Sequence, residues 1–141
     1  LQAIPKDTPF NMNPADKIFA VATAVLDARL AAADGNTDAS IAAWRAAVTA
    51  EDAVSYNEPP DWFYPTRESL GGALLRAKKY DDADLIFRQD LERNPNNGRS
   101  LWGRWQAMRA QDGDVPATVV VRRRWQDAWN DADVVLRAEG L

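Results

Sequence analysis

The chain has 141 residues, 46% apolar, 27% charged and 9% aromatic, enough for one compact domain and hardly for two. It contains neither cysteine nor histidine, which excludes disulfides, thiolate nucleophiles, iron–sulfur clusters and imidazole acid–base chemistry, and disfavours zinc. Its net charge of −4 argues against a phosphate-tracking nucleic-acid surface, and its six tryptophans are the main compositional excess.

The acidic bias lies in residues 1–60, with four basic and eight acidic groups; residues 61–141 carry thirteen of each. No apolar run approaches the roughly 20 residues of a membrane span, and no signal-peptide pattern opens the chain. The first residue is Leu1 rather than Met, so a missing upstream segment is expected. The compartment is not determined by these features; a soluble cytoplasmic setting is favoured over a periplasmic one.

In chain order, residues 1–14, with Pro5, Pro9, Asn11, Asn13 and Pro14, read as an irregular lead-in. Ala15 to Ala33 lacks Pro and Gly, and Ile18, Phe19, Ala22, Val25, Leu26 and Leu30 mark an apolar face at helical spacing, with Arg29 as its polar exception. Asp34-Gly35-Asn36 ends that helix, and Thr37 or Asp38 is expected to cap the next, which carries Ser40, Ile41, Trp44, Ala47 and Val48 to about Glu51. An insertion at 52–61 contains Pro59-Pro60-Asp61. A helix from about 62 or 65 to Lys79 and another from Asp81 or Asp82 to Asn94 follow, then a stop at Asn94-Pro95-Asn96-Asn97-Gly98. Ser100–Gln111 and Pro116–Asn130 form the last pair, with proline suited to a first helical turn. No segment alternates with a period of two, so strands are not expected. The predicted fold is all-α: hairpins at about 15–51, 62–94 and 98–130, with a C-terminal cap at 131–141, all within a single domain over 15–141.

The hairpins repeat. A 34-residue shift places Leu74 on Met108, Ala83 on Ala117, Phe87 on Val121 and Leu91 on Trp125; a 43-residue shift places Ala28 on Gly71, Ser40 on Ala83, Trp44 on Phe87 and Val48 on Leu91. The nine extra residues fall in the 52–61 insertion. A helix–turn–helix period of 34 is the tetratricopeptide length.

Leu70-Gly71, Leu74, Tyr80, Ala83, Phe87 and Pro95 stand at the spacing of that family, so the chain resembles tetratricopeptide repeat (TPR) proteins over roughly residues 15–130. The middle repeat matches well. The third departs at Arg104, Trp105 and Trp129, and the first at Asp27. The Glu58–Pro65 stretch, followed by a good repeat and a Trp-rich end, is similar to the C-terminal part of larger bacterial TPR proteins. The resemblance implies a right-handed superhelix of about three antiparallel hairpins whose first helices line a concave face. It places Arg29, Glu68, Gly72, Arg76, Arg99, Trp102, Gln106 and Arg109 inward, a locally basic groove suited to an extended peptide with acidic side chains or a free carboxylate. Val25 and Arg29 occupy positions where part of the carboxylate clamp of chaperone-binding members would stand, which disfavours that ligand. The plainer alternative for each arginine is a solvated surface side chain.

A second candidate is the loop Tyr56–Pro65, where Glu58, Asp61, Trp62 and Tyr64, with Arg67 just beyond, could form a sugar or cation pocket. The bland alternative is a structural plug, with Asp61 as a helix N-cap. Asp81, Asp82 and Asp84 suit a helix start better than acid–base chemistry. Asp34-Gly-Asn36-Thr-Asp38 fails as an EF-hand because Ala39 replaces the required glycine and Arg45 the closing glutamate. No nucleophile elbow, SxxK or phosphate loop is present. Trp125 and Trp129 share a helix face and are expected to cap the stack with Val134, Val135 and Leu136, the alternative being a homodimer through the terminal hairpin.

The expectation is therefore a non-catalytic scaffold that binds a protein or peptide partner, with no metal or cofactor, no nucleic acid and no membrane insertion. The alternatives are a regulatory or substrate-positioning domain of an enzyme whose catalytic part lies upstream, and a small-ligand pocket at the aromatic loop.

Overall fold

A computed structural model of the chain describes Pro5 and residues 8–141. The fold is all-α, with six α-helices among the described residues paired as three hairpins. The chain divides into two compact units, one ending at Thr66 and the other running from Arg67 to Leu141. No helix among the described residues is long and apolar enough to cross a membrane.

The first unit is built on α1 (Ala15–Ala33) and α2 (Thr37–Asp52). Gly35, at φ +75°, turns the chain between them, as the Asp34-Gly35-Asn36 stop predicts. The cap of α2 is Asn36, one residue earlier than expected: its side chain accepts the Ala39 N–H at 3.1 Å, and Thr37 is already helical.

Val21, Val25 and Ala28 of α1 are buried, as are Ile41, Trp44 and Ala47 of α2. Ser40 Oγ donates to the Ala28 carbonyl at 2.8 Å, satisfying a buried hydroxyl. The expected apolar face of α1 is displaced. Phe19, Leu26 and Leu30 are exposed, and Ala15, Val21, Val25 and Ala28 form the buried stripe. An alanine-rich helix offers more than one apolar stripe, so periodicity alone does not choose between them.

One further difference lies in the lead-in. Pro9–Phe10 (β1) pairs antiparallel with Asn13–Pro14 (β2) around Asn11, which has φ +56°. Two-residue strands are too short for alternation to signal them, and asparagine is among the residues that tolerate this left-handed geometry.

The second unit takes in α3 (Thr66–Arg76, its first residue belonging to the first unit), α4 (Tyr80–Arg93), α5 (Gly98–Asp112) and α6 (Pro116–Ala128). A 3-10 turn at Ala138–Gly140 closes the chain. Gly113, at φ +72°, separates α5 from α6, and Pro116 starts α6 as predicted. Lys78 takes φ +58° in the α3–α4 turn.

The core centres on Phe87, which is fully buried. Its ring lies against Gly71 of α3 and also against Gly103 of α5, and a Cβ at either glycine would run into it. Burying such a ring contributes roughly 2–3 kcal/mol. The small residue required at the α3–α4 crossing is thus the predicted Gly71. The corresponding position between α5 and α6 is Trp105, whose indole stacks on Trp125 with centroids 5.0 Å apart and planes 12° from parallel. The aromatic repeat position also holds: Trp44, Phe87 and Val121 are all buried.

Candidate functional site

The most developed polar arrangement lies in the second unit and begins with Asp90, which is 1% exposed on α4. Its carboxylate accepts from Ser100 Oγ at 2.6 Å, Asn97 Nδ2 at 2.9 Å and Asn94 Nδ2 at 3.0 Å. Asn97 is also the cap of α5, its Oδ1 accepting the Arg99 and Ser100 N–H groups. A buried carboxylate is thereby used to fix the start of a helix.

That start carries Arg99. Its Nε donates to Glu68 Oε1 of α3, and Asn97 Nδ2 reaches Glu68 Oε2 at 3.3 Å. Glu68 is buried and Arg99 about one-third exposed, so the pair is partly withdrawn from solvent. With Nε engaged, Arg99 presents Nη2 to the carbonyl of Gly140.

One turn beyond Gly72 on α3, Arg76 Nη1 donates to the carbonyl of Ala138. A Cβ at Gly72 would stand 2.6 Å from Leu141 Cβ and 3.4 Å from the Ala138 oxygen, so glycine is what lets the tail come so close. Arg76 is exposed overall, but partial desolvation of its guanidinium lowers its pKa from the ordinary value, with the nearby Glu139 carboxylate acting in the opposite direction.

The approach to this face is also fixed. Trp129 packs on Gly98 and donates from Nε1 to the Val134 carbonyl at 2.9 Å. Leu136 is buried, whereas Val134 and Val135 are exposed. The segment expected to cap the last hairpin therefore uses only Leu136 for burial, and its final residues lie against α3 and the start of α5.

The structure brings Glu68, Gly72, Arg76 and Arg99 together on one face. Trp102 and Gln106 are half-buried on α5. Arg109 lies over the Trp105 ring, 5.8 Å from its centroid, beside the Trp105–Trp125 stack. In the first unit, Arg29 Nη2 is 3.4 Å from the Tyr64 hydroxyl, which joins two residues that the sequence assigns to different candidates.

The aromatic loop is organised around Asp61. Its carboxylate accepts amide hydrogen bonds from Asn13 at 2.7 Å, Asn57 at 2.9 Å and Asn11 at 3.0 Å. These bonds, Asn13 and Asn57 foremost, lower its pKa from the ordinary 3.8. The helix that follows starts at Thr66, whose N–H and hydroxyl donate to Glu51. Tyr56 donates to Glu58, and Glu58-Pro59 is a cis peptide.

Trp62, Phe63 and Tyr64 pack on one another with centroids 4.8 to 6.0 Å apart, leaving Phe63 82% exposed. Trp62 Nε1 is buried without a hydrogen-bond partner. Arg67 opens the second unit and is buried there.

Sequence reasoning overlooked Asn11, Asn13 and Asn57, because asparagines in a lead-in and a loop carry no periodic signal. It also overlooked Asp90, which could have been found: it shares the α4 face of Ala83 and Phe87, where an acid must be paired. Among the described residues no group of three or more Asp and Glu is placed to hold a metal ion. No protein-family model, curated protein or solved structure matches the chain.

Proposed function

We propose that the chain is a non-catalytic protein-interaction module of tetratricopeptide type, and that the α3/α5 face of its second unit binds a peptide segment. The 34-residue period, the three hairpins and the glycine–aromatic crossing at Gly71 and Phe87 support the repeat assignment.

The observation that carries the binding assignment is the pair of guanidinium groups directed at main-chain carbonyls. Arg76 and Arg99 meet the oxygens of Ala138 and Gly140, so what they hold is backbone. Backbone-directed donors beside a side-chain notch are the elements of peptide recognition. The cationic pair also favours a segment with a carboxylate nearby, as Glu139 illustrates. In the loop, by contrast, the Asp61 carboxylate is engaged by three amides, which suits a framework role.

The test is an array of immobilised random nonapeptides probed with the intact chain. Binders are expected, and Arg76→Gln with Arg99→Gln should lower their capture at least tenfold while the helical circular dichroism spectrum is retained, although loss of the Glu68 ion pair should lower the melting temperature. No binders, or capture indifferent to both substitutions, would overturn the assignment.

A further inference from the structure

We propose that the α3/α5 face selects a segment that presents two free backbone carbonyls two residues apart and continues with an aliphatic residue, and that the chain's own Ala138-Glu139-Gly140-Leu141 is its resident competitor. This deepens the peptide-binding reading above and rests on it.

The carbonyls at the end of a helical turn have no partner within the turn. Here they are the oxygens held by the arginines: Ala138 and Gly140 lie in the 3-10 turn, which the Gly140 N–H closes on the Arg137 carbonyl at 3.0 Å. The two oxygens belong to residues two apart, a spacing that the two guanidinium groups, fixed on α3 and α5, read together. The face is therefore matched to a pair of free carbonyls at that spacing.

The residue after the turn gives side-chain selectivity. Leu141 approaches Gly72 so closely that a Cβ on α3 would stand 2.6 Å from its own, and any residue other than glycine closes that notch. Glu139 lies near enough to Arg76 to influence its ionisation, which favours an acid between the two carbonyl-bearing positions. The tail is tethered at Val134 by Trp129 and buried at Leu136, so it meets this face at high effective concentration. An incoming peptide must displace it.

The probe is a fluorescein-labelled, C-terminally amidated nonapeptide with the sequence of residues 133–141, titrated into the full chain and read by anisotropy. Leu141→Asp in the full chain should release the resident tail and tighten probe binding at least tenfold over the unsubstituted chain. Gly72→Val on the Leu141→Asp background should abolish binding. Arg76→Gln, at an exposed side chain, should weaken it at least fivefold and keeps the proposal testable if Gly72→Val does not fold.

Equal affinity of the unsubstituted and Leu141→Asp chains would overturn the competitor role. Binding to Leu141→Asp that ignores both Gly72→Val and Arg76→Gln would overturn the selectivity. If random peptides are captured through Arg76 and Arg99 while this probe is not, only the present inference fails. If no peptide binds even to Leu141→Asp, the binding function falls with it.

Discussion

Asn13 and Asp61, 48 residues apart in sequence, are joined by a 2.7 Å hydrogen bond from the amide to the carboxylate. Asn13 also exchanges two bonds with the Ser55 backbone, at 2.9 Å to its carbonyl and 2.8 Å from its N–H. One buried side chain thus ties the short β-ribbon to the loop. Asn13→Ala should cost about 0.5–1.5 kcal/mol, the usual net worth of a hydrogen bond, because the partners it leaves, exposed Ser55 and half-buried Asp61, can turn to solvent. Urea denaturation followed by tryptophan fluorescence measures it; a loss below a few tenths would show that solvent replaces the amide.

The same contact makes stability depend on acid. The amides depress the Asp61 pKa below 3.8, so their contribution is fully present above the unfolded-state value. It is lost as pH falls through the lower, folded-state pKa. Stability of the unsubstituted chain should therefore decline below about pH 4, and Asp61→Asn should remove part of that decline while lowering stability at neutral pH. Melting temperatures between pH 2.5 and 7 give both readings. A parallel pH dependence in the two chains would exclude Asp61 as a contributor.

Phe87 fills the space left by two glycines. Gly103→Ala would gain about 1 kcal/mol of helix propensity in isolation, yet its Cβ meets an aromatic ring and not the end of a flexible side chain. Overpacking should win, with a net loss of about 1–3 kcal/mol. Phe87→Leu on the same chain should relieve the clash, making the double substitution less damaging than the two single losses added together. Additive losses would mean that ring and glycine do not share the space.

Asp90 accepts hydrogen bonds from Ser100, Asn97 and Asn94. Asp90→Asn keeps its shape but removes charge and replaces one acceptor oxygen with an NH2 donor that faces donors, so a loss of about 2–3 kcal/mol is expected. Asp90→Ala should also loosen the start of α5, seen as faster amide exchange at Arg99 and Ser100. Unchanged exchange at those two amides would detach the carboxylate from the helix cap.

The stacked indoles of Trp105 and Trp125 should give an exciton couplet in the far-ultraviolet circular dichroism that disappears in Trp125→Phe. Loss of the stack itself should cost roughly 0.5–1.5 kcal/mol beyond the buried area removed. A couplet that survives the substitution would assign it to other tryptophans.

Much of the helical framework was legible because it rests on local rules. Gly35, Gly113 and Pro116 mark boundaries through their backbone preferences, and Gly71, Ala83 and Phe87 mark a close helix crossing through their sizes. Which stripe of α1 would be buried was not legible, since alanine fits either face. The polar arrangement was half legible. The resemblance to tetratricopeptide repeats pointed to Arg76 and Arg99, but their partners are carbonyl oxygens, which every residue possesses and no side-chain pattern reveals. Gly103 was missed because the third repeat carries Trp105 at the aligned crossing position; the glycine against Phe87 stands two residues earlier.

The setting of Arg99 bears on the ordering cost that any ligand of the proposed face would meet. Its Nε is secured by Glu68, which Asn97 steadies in turn, so the guanidinium plane is fixed by groups outside the tail. Immobilising a long side chain on binding ordinarily costs about 0.5–1.5 kcal/mol. At Arg99 much of that ordering is already complete before a ligand arrives. Were the tail to leave and another segment to enter, as proposed above, the arginine would not have to search for its rotamer: the donor waits in place.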